Sequence, residues 1–391
     1  MSVSELHSHK RASVRTLLPY KAAYFFVYAA MAALMPFLTL YYEHLGLTGR
    51  QIGMLAALPP LLTFLGAPLF GFLADLTRHP KLLLGISVMS VVIAILALTR
   101  VQTYLNLILV ISFYALFFAP ILPIIDRSVL DILGDQRDQY GKQRLWGAVG
   151  WGIAAPFAGL LVDIGGLNWA FYSSAILFGG LFVLVGTMPV SIFGGRESFW
   201  LGFKKLVGNW PVIAFFGVAL GGGVGLSMIH HYLFLFLDEL GASSLMMGWS
   251  LTIATVSELF VMFFSDRILR RWGARRLLLF SLAALCLRLF SYSVIHRPEW
   301  VLLIQLLHGP TFAALWMAAV AYVSEIAPPG LRNTSQGLLT GFVMGLGSML
   351  GALIGGIMYE QVGFSIMFSY AGTGILVLTV SFYLVCRGRC Q

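Results

Sequence analysis

Apolar residues in this chain come in runs of about twenty, one after another, from residue 19 to residue 386. A helix of about 20 apolar residues spans the hydrocarbon core of a bilayer, so run length is the strongest constraint on the fold. The runs fall near 19–43, 51–74, 82–99, 104–126, 145–162, 168–189, 210–237, 245–265, 277–295, 300–323, 336–358 and 364–386. Twelve spans of about 22–25 residues use roughly 270–300 residues, which leaves only ends and short loops. Charged residues are 10% and apolar residues 59% of the chain, against roughly 25% charged in a domain that must face water. A soluble enzyme, a nucleic-acid binder and a disordered chain are thereby excluded. The formal charge of +9 reports loop topology in a membrane protein and not a nucleic-acid partner.

Lys and Arg gather in alternate loops. Arg78 and Lys81, Arg137 and Lys142, Arg196, Lys204 and Lys205, and the cluster from Arg267 to Arg276 share one side. The other side holds only Arg50, Arg100 and Arg297. Basic loops stay in the cytoplasm, so both termini are predicted to be cytoplasmic, in the cytoplasmic (inner) membrane. The first 18 residues are polar and basic, and the run after them has the length of a span, so no cleavable signal peptide is expected. Cys286, Cys386 and Cys390 form no disulfide framework.

The stretch 190–209 divides the chain. The expected organisation is a cytoplasmic tail at 1–18, a six-helix bundle at 19–189, a cytoplasmic linker at 190–209, a second six-helix bundle at 210–386 and a tail at 387–391. The halves echo each other. Gly71-Phe-Leu-Ala-Asp75 closes the second span, with Arg78 after it, and Phe264-Ser-Asp266 closes the eighth, with Arg270 after it. An acid at a helix end beside a basic loop suits a charge-and-dipole latch on the cytoplasmic side; solvated turns are the plainer reading. Six plus six with such a repeat is the major facilitator architecture: all-α, two pseudo-symmetric bundles, substrate bound at the midplane between them.

An ionisable group deep in a span is costly and therefore a functional candidate. The set is Asp126, Arg144, Glu258, Arg288 and His308, with Lys21, His230 and His231 as secondary candidates. Asp126 and Arg144 lie on consecutive spans and are expected to meet. Trp151 follows Arg144 by two helical turns on one face. An acid that accepts from hydroxyls, a guanidinium that donates to them and an indole plate make a polyol site. A structural ion pair with a membrane-interface Trp is the alternative. Glu258, Arg288 and His308, on neighbouring helices, can form a proton-responsive cluster; a buried Arg with a bystander His is the alternative. His230 and His231 point two ways around their helix, and no His-x-x-x-His or Cys-x-x-Cys occurs, so neither metal nor cofactor is expected. Gly337, Gly341 and Gly345, then Gly347, Gly351 and Gly355, mark close helix packing. Gly221-Gly222-Gly223 suggests a flexible or broken segment in the seventh span.

The stretch Tyr140-Gly-Lys-Gln-Arg-Leu-Trp-Gly-Ala-Val-Gly-Trp151 resembles the start of the fifth helix in lactose permease and its oligosaccharide:proton symporter relatives, and equally the phenylpropionate-permease branch. Pro68 to Asp75, Met262-Phe-Phe, Leu285-Cys-Leu-Arg288 and Met358 to Phe364 extend the likeness along the chain. The resemblance implies that Asp126 and Arg144 bind sugar and that Trp151 stacks on its ring. It also implies that Arg288 and His308 belong to the binding and coupling cluster, and that His231 lines the cavity. Departures are as informative. The family's essential eighth-helix acid is Thr255 here, with Glu258 one turn later. Its proton-carrying acid is Thr311. One Lys–acid pair becomes Gln305 and Leu226, and a second pair becomes Gly223 and Met344. Both members of each pair are missing together, as the cost of a lone buried charge demands.

These residues predict a transporter, not an enzyme: a monomeric secondary transporter whose partners are a small-molecule substrate, the proton and the lipid bilayer. A sugar is favoured as substrate. Aromatic-acid or nucleoside symport, with Arg144 or Arg288 holding a carboxylate bidentately, is the alternative, as is an efflux antiporter. A non-transporting sensor and a membrane enzyme fit poorly. With Thr311 unable to carry a proton, Glu258 is the expected carrier, with Arg288 favouring its release.

Overall fold

The computed structural model describes residues 14–77, 79–190, 210–327 and 331–387. Helices account for nearly all of them: α1 Val14–His44, α2 Gly49–Thr77, α3 Pro80–Leu98, α4 Tyr104–Leu133, α5 Tyr140–Gly165, α6 Asn168–Thr187, α7 Trp210–Glu239, α8 Ser244–Phe263, α9 Ala274–Val294 and α10 Glu299–Ile326. The last two, α11 (332–362) and α12 (364–387), are separated by Gly363 at φ 74°, a left-handed conformation that glycine adopts without steric cost. Ten helical stretches among the described residues are long and apolar enough to cross a membrane, and one of these, 334–384, holds both α11 and α12. With α2, all twelve expected spans are helical. Large apolar side chains such as Leu105, Val183 and Phe263 are exposed, as suits a surface that meets lipid.

Local sequence explains the departures from straight rods. In α4 the helix breaks at Ala119–Pro120, where proline lacks the N–H that would continue the ladder, and resumes over Ile121–Leu133 with Ile125, Val129 and Leu133 buried. The fourth span thus continues as helix beyond its apolar run, to Leu133. In α10 a tight turn at Gln305–Leu307 runs into a widened π-type turn at Gly309–Ala313, around Pro310. The expected break at Gly221 to Gly223 is absent. α7 is unbroken, and these glycines face three different neighbours: Leu378 of α12, Leu315 of α10 and Val343 of α11. Close packing on several sides at once, and not flexibility, accounts for the triplet.

The helices α1 to α6 and α7 to α12 meet along two seams, α5 with α8 and α2 with α11. Helix direction puts both tightest contacts at the end of the molecule remote from the termini. A Cβ on Gly159 of α5 would collide with the carbonyl of Ser244, and one on Gly248 of α8 would collide with that of Ala155. Asp163 closes this seam. Its two carboxylate oxygens accept from the Ser244 and Leu245 amides at 2.8 and 2.9 Å, so an acid of one half caps the N-terminus of α8 in the other. On the second seam the Arg50 amide donates to Glu360 at 2.7 Å, and the Tyr359 hydroxyl donates to Glu43 at 2.6 Å. The remaining described hydrogen bond between the halves, Thr252 to the Gly152 carbonyl at 2.7 Å, lies nearer the middle. The two halves are therefore latched at the far end.

Candidate functional site

In the first half, α1 stands between the two charged groups expected to touch. Tyr24 donates to Asp126 at 2.5 Å, while Arg144 donates to Tyr28 and to Tyr140, each at 3.2 Å. No ion pair within 4 Å joins Asp126 to Arg144 among the described residues. The expected direct contact is replaced by a bridge of phenol hydroxyls. Tyr28 reaches Arg144 because its ring lies on Gly147, where a Cβ would sit 2.6 Å from a ring carbon. Sequence reasoning missed this trio, although Tyr24 and Tyr28 sit one turn apart on a single face. Trp151 is half-buried on the face of Arg144, and its ring lies 6.4 Å from that of His230 on α7, with planes 32° apart.

In the second half, Arg288 is 2% exposed and enclosed by neutral acceptors. It donates to Gln305 at 2.5 Å, to Thr311 at 3.0 Å, to His308 Nδ1 at 3.1 Å and to Tyr292 at 3.3 Å. Arg cannot accept, so Nδ1 of His308 must carry the lone pair and Nε2 the hydrogen. That fixes the tautomer. Nε2 is directed at Glu258, 3.8 Å away, and the ring stacks on Phe312. The widened turn of α10 begins at Gly309, whose amide donates to Ser257 of α8 at 3.1 Å. Glu258 and His308 are brought together at this junction.

The departures from the symporter pattern now have places. Gln305 and Thr311, the positions that depart from the symporter pattern, are two of the four acceptors around Arg288. Thr255 bonds only its own helix, through the Leu251 carbonyl, and fills space against Gly152. Gly223 lets α7 approach Val343 of α11, where its Cβ would lie 2.8 Å from a carbonyl oxygen. His231 turns to Ser348 of α11, at 3.5 Å, whereas His230 is exposed and faces Trp151. Of the two, it is His230 that faces the other half. Glu258 contacts His308 of its own half at 3.8 Å.

The latch candidates fare unevenly. Gly71, Asp75 and Arg78 fall where side chains lie outside the described residues. Asp266 is exposed in the first turn of the short helix Ser265–Trp272, and Arg270 in its last turn, each at the end its charge favours. Among the described residues, no cluster of three His, Cys, Asp or Glu could hold a metal.

Comparison with known proteins agrees with this picture. Residues 17–370 match the MFS_1 like family. The maltose permease of Geobacillus stearothermophilus is 28% identical over 382 residues, covering 94% of each chain. The probable 3-phenylpropionic acid transporter of Escherichia coli (strain K12) is 24% identical and covers 89% of this chain and 92% of its own. Among solved structures, the nucleoside transporter NupG superposes with a TM-score of 0.82 at 19% identity, covering 95% of this chain and 99% of its own. These relatives are transporters and not enzymes. The twelve-span fold, the family match along almost the whole chain and the polar site between the halves place this protein in the MFS_1-like family of major facilitator transporters of small solutes.

Proposed function

We propose that this transporter is a proton symporter that takes up a small ring-bearing solute across the cytoplasmic membrane, with both termini in the cytoplasm. The observation that carries the reading is the Glu258–His308 pair, an acid and an imidazole 3.8 Å apart within the spans of the second half. Glu258 gains and loses the proton, and proton and substrate favour each other's binding, as linkage requires of a coupled pair. Asp126, Arg144 and Trp151 serve a hydroxyl-bearing ring such as a sugar, and the relationship to a maltose permease supports that choice. Asp75 and Asp266, with Gly71, Arg78 and Arg270, control the rate of cycling on the cytoplasmic side and not affinity.

A second reading has its own observation. Arg288 is saturated by protein groups, whereas Arg144 is held only by two phenols at 3.2 Å, contacts that a carboxylate can displace. That favours an aromatic acid or a nucleoside. Proteoliposomes with an imposed pH gradient, offered maltose, 3-phenylpropionate and uridine, decide among them. Uptake of one probe that collapses with the gradient is the expected result. Uptake indifferent to the gradient would remove the proton from the reading.

A further inference from the structure

Trp151 and His230 belong to opposite halves of the molecule, on α5 and α7. Their ring centroids are 6.4 Å apart and their planes 32° from parallel. Touching aromatic pairs have centroids about 4.5–7 Å apart, so this pair is at the long end of contact. A flat ring inserted between two others needs roughly 7 Å, two layers of about 3.5 Å each. At 6.4 Å the two rings close on each other, and a third ring enters only as the halves part. His230 itself is exposed although it faces the other half. The neighbouring His231, turned towards Ser348, does not share this space. Arg144 lies on the Trp151 face of α5, seven residues earlier, about 10 Å along the axis. Its guanidinium is held on the side of Tyr140 and Tyr28, and Glu258 and His308 stand together in the other half, 3.8 Å apart.

We infer that His230 is a substrate-contacting residue which, with Trp151, forms a slot between the two halves for a single planar ring. The solute it selects is a flat conjugated ring joined by a short linker to an acceptor-rich group, carboxylate or hydroxyl, that meets Arg144. A puckered pyranose is thicker than a conjugated ring and would have to force the halves further apart. Because each plate belongs to a different half, an inserted ring ties the halves together at the moment of binding. The inference rests on the reading of this region as the transport site, and within that reading it favours the aromatic-acid or nucleoside alternative over the sugar.

The test uses the full chain in proteoliposomes, with 3-phenylpropionate, uridine and maltose as probes and His230→Ala, His230→Phe, Trp151→Ala and Arg144→Ala as variants. A planar probe should be the one transported. His230→Ala should weaken its binding roughly 3- to 10-fold, the range that one lost stacking face predicts, and His230→Phe should restore most of it. That rescue separates a contact from a fold defect, since a merely structural histidine would not be replaced by phenylalanine with recovery of affinity. If Arg144→Ala and Trp151→Ala abolish binding while His230→Ala leaves it unchanged, the slot is wrong and the transport site stands. If maltose alone is transported, the planar-ring selection is overturned. If no probe is transported by the unaltered protein, the slot falls together with the transport reading.

Discussion

Each half of the molecule carries one arginine in its helical interior, and the two are held in opposite ways. Arg144 is exposed to the space between the halves and donates to two phenol oxygens at 3.2 Å. Arg288 is buried and surrounded by Gln305, Thr311, His308 and Tyr292 at 2.5–3.3 Å. A guanidinium has five N–H donors. When they are committed to short contacts within the fold, the group positions its neighbours. When they are held loosely at a cavity edge, the group remains available to a ligand. On the proposed reading the first half serves the solute and the second the His308–Glu258 pair, although sequence alone treats both arginines as equal candidates for a carboxylate.

The sharpest way to break this division is Glu258→Gln. It should abolish accumulation against a gradient while exchange of labelled for unlabelled solute continues. Both rates are read in proteoliposomes, and concentration of solute by this variant in response to pH would move the proton to His308. Next in size is the pair of arginine substitutions. Arg288→Met strands the Gln305 and Thr311 acceptors and should lower stability by about 2–4 kcal/mol, taking about 1–2 kcal/mol for each lost interhelical polar contact. Arg144→Met should leave thermal unfolding nearly unchanged and remove solute binding. Equal destabilisation by both would erase the distinction drawn here.

Smaller effects refine the comparison. Tyr24→Phe removes the donor that holds Asp126 at 2.5 Å and lets the carboxylate swing towards Arg144. The expected result is a loss of affinity equivalent to about 0.5–1.5 kcal/mol, the net worth of one hydrogen bond, measured by titration of the transported probe; stronger binding would mean that the freed carboxylate turns to the solute and not to Arg144. Asp163→Asn should have the smallest effect. It weakens one cap at the N-terminus of α8, worth about 0.3–1 kcal/mol, and so raises the population in which the far end is open. Spin-label distances between the far ends of α5 and α8 report that population, and an unaltered distribution would leave the Asp163 contact without a part in gating.

Much of this protein was legible without coordinates. Run length marked the twelve spans, because a lipid-embedded helix has no other way to satisfy its backbone. The cost of intramembrane charge singled out Asp126, Arg144, Glu258, Arg288 and His308. Paired replacement at Gln305 and Leu226 announced that a buried charge pair had gone. Other features were hidden because they depend on how one helix is rotated against the next. His230 and His231 are adjacent and chemically identical, yet about 100° of helix rotation sends one to the other half and the other to α11. The glycine triplet of α7 carries the same composition whether a helix bends there or is crowded on three sides, and only its neighbours distinguish the two.

What the sequence determined by itself was the architecture and the inventory of costly groups. Both follow from transfer of residues between water and lipid, which depends on composition along the chain. Tertiary structure alone decided who meets whom: the phenols between Asp126 and Arg144, the neutral shell around Arg288, the tautomer of His308 and the capping of α8 by Asp163. Those contacts join residues up to 116 positions apart in the case of Tyr28 and Arg144. They are set by the packing of helices that touch only once the chain has folded, and no local pattern encodes them.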